Sequence, residues 1–505
     1  MTVDDDAAFA AGSASFMDWL SSQPGVSISP TITLADLRAH NQGRGVLATR
    51  DLEPGTVLFT LPRDVLLDVG NSRCHNVIPE LAELDRFTAL IIALLAEGGR
   101  ADSKWAPYFD ILPRTFATPM FWAQEELKEL AGTTVLALLG KEEAETTYRE
   151  VVAPLVKKYD GVFDGCDTSL ERYHRMGSLI LAYSFDVEKE PSGEEEDDND
   201  EEVVDEVDEG SGDEDQEDST AIADEGDMQV DIDIASSASS VTSTDNEEAK
   251  FIKAMVPLAD MLNGDSDLCN AKLFYTASGA LEMRAVKPIP AGAQVYNTYG
   301  VLPNADLLRR YGYTRPGRTK HDVVELDMQI VLDIAGHSLS PLHMQKRIEF
   351  IQALDTELAK EGDDEDLLLD DSLQLTAITA AVPTAAMQLT HILTLPPAAF
   401  RTLRKRGLEA VAAGGLPPRK VLKNDEQREL WTKILRKKLS EYANSDDADG
   451  GVVADENLVI EAAANENLRN AVVVRLSEKK IITSALDKVQ QWHASSRPTK
   501  RRRQE

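Results

Sequence analysis

Three short runs in this chain place polar groups where chemistry could use them. They are Pro257-Leu258-Ala259-Asp260-Met261-Leu262-Asn263, Tyr296-Asn297-Thr298-Tyr299-Gly300 and Tyr311-Gly312-Tyr313. In the first, an Asp and an Asn three apart stand among Leu258, Met261 and Leu262. Buried polar groups need partners, and a site that takes a polar ligand supplies them. In the other two runs tyrosines gather. Each offers an apolar wall with a hydroxyl tip, suited to guiding a long side chain that ends in an amine.

Short strands and turns must hold these runs. Residues 45–62 read as two strands about a Glu53-Pro54-Gly55 turn, and Lys287-Pro288-Ile289-Pro290-Ala291-Gly292 repeats the turn signal. Strands are expected at 271–275, 281–286 and 294–297. From about Asp85 to Phe185 the pattern changes to helical spacing, with helices expected at 86–96, 124–139, 142–159 and 169–183. After about Thr319 the chain is expected to be mostly helical, with leucine-bearing faces at 342–360, 425–442 and 465–486 that read as packing core rather than a ligand box.

Composition bounds the rest. A chain of 505 residues is too long for one ordinary core, so two or more domains are expected. The net charge of −36 is uneven: residues 188–248 hold 27 acidic residues and one basic one, which leaves about −10 for the remainder. That segment has no aromatic residue, and it reads as a disordered insertion within one domain, either a solvated spacer or an attractor for basic partners. Direct nucleic-acid binding is not expected of so mildly acidic a remainder. Cys74, Cys166 and Cys269 stand far apart, which argues against a disulfide framework or a cysteine-rich zinc cluster. The eight histidines show no H-x-x-x-H spacing, so no metal site is expected, and no P-loop or G-x-S-x-G is present. The longest apolar run, 90–96, is too short to span a bilayer, and the plain expectation is a soluble intracellular protein. Arg497, Lys500, Arg501, Arg502 and Arg503 form a basic tail that reads equally as a nuclear-import signal or a solvated end.

Upstream, Asn41-Gln42-Gly43-Arg44-Gly45 sets two glycines one apart before a strand, where the missing side chains let other groups approach the backbone. No third glycine or helix follows, so this is not a dinucleotide fingerprint. Joined in order with the Asp260–Asn263 run and the two tyrosine runs, the element resembles a SET-domain protein lysine methyltransferase. The block Lys104-Trp105-Ala106-Pro107-Tyr108-Phe109-Asp110-Ile111-Leu112-Pro113 narrows the likeness to the Rubisco-methyltransferase type, and Val474-Arg475-Leu476-Ser477-Glu478-Lys479-Lys480 is similar to that group's substrate-binding domain.

The resemblance implies an α+β fold, in which a β-rich SET domain interrupted by a helical insertion is followed by an all-α C-terminal domain. Its expected limits are 15–313, with the insertion at about 75–185 and the acidic segment at 188–248, then 320–490 and a basic tail at 491–505. It implies methyl transfer from S-adenosylmethionine to a lysine amine, with Tyr299 catalytic and also facing the cofactor. Gln42, Gly43, Arg44, Asp260, Asn263 and Gly264 would be on the cofactor side, and Tyr311, Tyr313 and Tyr183 would line the lysine channel. Within the family the likeness points to a basic large-subunit ribosomal protein as substrate and to the nucleus as location, with the cytoplasm also open.

Three positions depart from the family pattern. Gly264 stands where a histidine is usual, Ala182-Tyr183 stands where Ser-Arg would supply a cofactor-carboxylate arginine, and Tyr313 stands where relatives have Phe. The extra hydroxyl of Tyr313 would favour monomethylation. The alternatives are a catalytically inactive SET-like adaptor for basic proteins, or an enzyme for histone or transcription-factor lysines.

Overall fold

A computed structural model of the chain describes residues 3–40, 42–189, 250–361, 367–369, 373–445 and 450–492. Asn41, the basic tail from residue 493 onward and the acidic insertion, apart from Glu188 and Lys189, lie outside the described residues. The chain divides into two compact units: Met1–Leu112 with Val152–Gly300, and Pro113–Val151 with Val301–Glu505. The stretch expected as one helical insertion is shared between them.

The first unit is built on short antiparallel ladders. Strands β1 (Ser27–Ile28), β2 (Ile32–Asp36), β3 (Arg44–Ala48), β4 (Val57–Leu61), β5 (Ser184–Glu188), β6 (Phe251–Met255), β7 (Ala271–Tyr275), β8 (Leu281–Ala285) and β9 (Gln294–Val295) form three sheets. Their orders are β1-β4-β8-β7, β2-β3-β9 and β5-β6. The period of two is plain in β8, where Leu281, Met283 and Ala285 are buried and Glu282 and Arg284 are less so. The two Pro-Gly turns do more than echo each other. Leu52 and Ile289 exchange backbone hydrogen bonds at 2.8 and 2.9 Å, which ties the turns together.

Helices cover these sheets. The helix Arg86–Glu97 starts on an Asp85 cap whose carboxylate accepts from the Thr88 amide at 2.8 Å. Its run from Leu90 to Ala96 is essentially inaccessible, which accounts for an apolar stretch without amphipathic spacing. The helix Leu170–Tyr183, capped by Ser169, packs against it and leads into β5. An N-terminal helix, Val3–Ser21, buries Phe16 and Leu20.

The second unit is mainly helical. The helix Glu466–Gln490 buries Ile481, Ile482, Ala485 and Val489, and the helix Asp425–Leu439 adds Trp431, Ile434 and Leu435 to the same core. A two-stranded ladder, β10 (Val323–Glu325) with β11 (Gln374–Thr376), lies within this region. The helix expected at 124–139 is three short pieces, Gln124–Leu127, Lys128–Leu130 and Thr134–Ala137. The one expected at 142–159 is interrupted by a π turn, Tyr148–Val152, just before Pro154, which has no N–H to continue the ladder.

Candidate active site

The first unit gathers most of the expected cofactor-side residues. After β6 the chain turns sharply. Leu258, buried, takes φ +74°, a conformation rare for a branched side chain, and a single 3-10 turn, Ala259–Met261, follows. This turn delivers Asp260 into the interior and Asn263 toward β3. The Asn263 Nδ2 donates to the Arg44 carbonyl at 3.3 Å, and the Asn263 carbonyl accepts from the Asn297 amide at 3.1 Å. Gly45 makes this approach possible: a Cβ there would lie 2.9 Å from Asn263 Nδ2 and would also strike Leu37. The second glycine of the G-x-G thus admits a protein side chain. Above Gly43 nothing lies within 4 Å.

Asn297 brings the tyrosine run alongside. Its carbonyl accepts from the Asp265 amide at 3.0 Å, and Gly264 and Asn297 form a parallel bridge. Tyr299 then lays its ring directly on Gly264, with its hydroxyl donating to the Leu262 carbonyl at 3.1 Å. A Cβ at 264 would fall closer than 3.0 Å to three ring carbons of Tyr299. Any side chain at 264 would therefore have to displace the ring above it.

Asp260 is fully buried. The Tyr108 hydroxyl donates to its Oδ2, and among the described residues no hydrogen bond of good geometry reaches its Oδ1. Desolvation pushes the Asp260 carboxyl up to about 8, against the hydrogen bond from Tyr108, so the group is largely neutral at neutral pH. Burial also raises Tyr108 well above the usual phenol range. Tyr183, at the end of its helix, is raised to about 12 by burial, then by Asp260, with Arg44 opposing. Tyr108, Tyr183, Arg44 and Asp260 thus sit close enough to bias one another's ionisation. The orphan Asp260 oxygen and the buried, unpartnered Nε2 of Gln294, whose amide borders Gly45, are unmet polar groups of the kind a polar ligand satisfies. The residues present fit a cofactor that carries charged and polar groups.

The remaining expected residues divide. Gln42 is exposed, and its amide donates to the Leu37 carbonyl at 3.2 Å. The Arg44 side chain is occupied: it donates to Ser13 Oγ at 3.0 Å and to the Ile111 carbonyl at 2.9 Å, and it lies over the Phe9 ring at 3.8 Å. What Arg44 offers the site is its backbone. Tyr311 and Tyr313 belong to the second unit, with ring centroids 6.4 Å apart. Sequence reasoning missed Tyr108, Gln294 and Asn297. Tyr108 lay in the Trp-Ala-Pro-Tyr-Phe block and Asn297 between tyrosines, but nothing local marked either as a partner of the Asp260–Asn263 turn. A cavity of about 580 Å³ elsewhere in this unit, lined by Arg63, Asp68, Asn71, Arg86 and Lys253, contains none of the expected residues.

The SET domain family model matches residues 43–300, just over half of the chain. The chain belongs to the SET-domain family. Ribosomal lysine N-methyltransferase 4 of Saccharomyces cerevisiae is 32% identical over 336 residues, covering 64% of this chain and 60% of that protein. The chain therefore spans less than two thirds of that relative. The Schizosaccharomyces pombe protein of the same name is 29% identical, covering 69% of this chain and 77% of its own length. N-lysine methyltransferase SETD6 of Rattus norvegicus is 26% identical across 94% of this chain and 90% of its own. Among solved structures, Rubisco LSMT bound to AdoMet superposes with a TM-score of 0.63 at 17% identity, covering 95% of this chain and 92% of that one. The resemblance drawn from the motifs, and the mixed SET fold with a helical C-terminal region, are both borne out.

Proposed function

We propose that this SET-domain protein is an S-adenosylmethionine-dependent protein-lysine N-methyltransferase that monomethylates a lysine of a large-subunit ribosomal protein. The observation that carries the reading is Tyr299 seated on Gly264, in the same turn that holds Asp260 and Asn263. The relatives named lysine methyltransferases support the reaction, and the fungal names support the ribosomal substrate.

S-adenosylmethionine supplies a methyl already activated on a sulfonium. The chain has to bind and align it, exclude water and present a neutral amine. Free lysine is protonated at neutral pH, and an apolar, aromatic-walled channel disfavours the charged form. With the lysine proton lost to solvent, the channel would hold the neutral amine in line with the donor, whose methyl would pass to nitrogen as its bond to sulfur broke. Asn263, the backbone about Gly43 and Arg44, Asp260 and Gly264 are assigned to the donor, Tyr299 to the methyl, and Tyr311, Tyr313 and Tyr183 to the lysine, as the family resemblance implies. Gln42 is left with a backbone role. A phenol at 313 limits how far a methylated amine turns, which favours a single methylation.

Incubation of the full chain with labelled S-adenosylmethionine and purified large-subunit ribosomal proteins, in parallel with histones, tests the substrate. Label is expected in a ribosomal protein. Preferential labelling of histones would move the substrate class, and no labelling of either would favour an adaptor. The product should carry one methyl, and Tyr313→Phe should shift it toward di- and trimethylated forms by mass spectrometry. We also place the protein in the nucleus on its basic tail. Replacing Lys500, Arg501, Arg502 and Arg503 by Ala in a fluorescent fusion should release it to the cytoplasm.

A further inference from the structure

The second unit contains a cleft lined by none of the residues assigned to methyl transfer. Its volume is about 470 Å³, and it is lined by Arg419, Lys420, Lys423 and Lys488 without a single carboxylate. Arg419 and Lys420 sit on the short helix Arg419–Leu422 with Lys423 at its end, and Lys488 is in the last turn of Glu466–Gln490. Among the described residues none of the four forms an ion pair. Arg419 donates to Thr384 Oγ1 at 3.3 Å and Lys488 to the Thr379 carbonyl, which satisfies N–H groups but leaves the charge uncompensated. Asp425, two residues after Lys423, is paired instead with Arg428 at 2.6 Å.

Four like charges in one hollow repel one another and raise the local concentration of anions. The apolar residues between them, Val382, Val489 and Trp492, are almost inaccessible, so the aliphatic surface of the hollow comes from the methylene stems of the basic side chains. A ligand that fits such a hollow therefore brings both carboxylates and aliphatic groups. A nucleic-acid strand fits it less well, because binding without sequence preference relies on an exposed ring for base stacking, and Trp492 is only 6% exposed.

We propose that this cleft binds an acidic peptide segment of a protein partner, with apolar residues interspersed between its carboxylates. The volume accommodates a few residues of such a segment, its carboxylates meeting Lys420 and Lys423 and its aliphatic side chains lying along the methylene stems of the basic residues. The inference does not depend on the methyl-transfer reading, since it concerns binding alone.

Fluorescence anisotropy tests it, with the full-length chain titrated into a labelled twelve-residue peptide alternating Glu with Val and, separately, a labelled twelve-nucleotide oligouridine. Saturable peptide binding is expected. It should weaken as salt rises and fall at least ten-fold in the Lys420→Ala/Lys423→Ala double variant, while Lys420→Arg/Lys423→Arg retains it. Both lysines lie at or near the surface, and an unchanged melting temperature would show that the variants fold. Absence of peptide binding, binding indifferent to the double variant, or oligouridine bound more tightly than the peptide through the same lysines would each overturn the proposal.

Discussion

A Cβ at position 264 would fall closer than 3.0 Å to three carbons of the Tyr299 ring, so any side chain there must push the ring away. Gly264→Ala is expected to cost about 1–3 kcal/mol of stability through overpacking. It should also lower methyl transfer more than it lowers cofactor affinity, which turnover and calorimetry would separate. Gly264→His should do the same, and full activity in that variant would contradict the assignment. Asp260 makes a second prediction at this scale. Its carboxyl is raised from 3.8 to about 8 on folding, so the folded chain holds a proton that the unfolded chain has released. The stability that this group contributes is complete below about pH 4 and is lost as pH rises toward 8. Asp260→Asn should therefore gain stability relative to the wild type across that window, by at most about 1.4 kcal/mol per pH unit. Urea unfolding at pH 5 and pH 8 measures it, and a constant difference between the two proteins would refute it. Tyr108→Phe removes the hydroxyl that donates to Asp260 Oδ2 and should destabilise the fold by about 1–3 kcal/mol.

At the scale of elements, the helix Glu466–Gln490 was legible because its apolar residues recur at helical spacing. The role of its charges was not. Arg475 and Lys479, read as part of a substrate-binding likeness, are inaccessible and share Asp455, with N–O distances of 2.7 and 2.8 Å, while Arg475 also reaches Glu129. Those acids lie far away in sequence, and no local pattern announces such partners. Asp455→Ala leaves two buried cations without their shared anion and should cost about 3–5 kcal/mol by denaturant unfolding. Lys480, partly exposed beside Glu456, should be replaceable by Ala within about 1 kcal/mol. Arg44 teaches the same lesson at the site. The G-x-G placed it beside a ligand, yet its side chain is held by Ser13 and Phe9 on a helix whose composition gave no warning of it. The strands were legible from turn chemistry. The breaks at 124–139 and 142–159 were missed because spacing was weighed above Pro154 and the weak helix formers about Thr133.

For the molecule as a whole, four motifs in order sufficed to indicate the family and the mixed fold, since a SET domain draws its site from runs spread along the chain. The limits of the two units were less visible, because compactness depends on which distant segments pack, and residues 113–151 pack with the C-terminal half. Gly264 and the missing arginine at Ala182-Tyr183 spoke for an inactive adaptor; the ring lying on Gly264 accounts for the first and leaves the second standing. The central claim is that this site transfers a methyl group to a lysine with Tyr299 at the reacting atoms. Its most direct measurement is single-turnover transfer from labelled S-adenosylmethionine, with the labelled residue read by mass spectrometry, comparing the wild-type chain with Tyr299→Phe. The account predicts label on a lysine, a rate lower by about 100-fold or more in the variant, and cofactor affinity little changed. Cofactor binding without any methyl transfer, or equal rates in the two proteins, would contradict it.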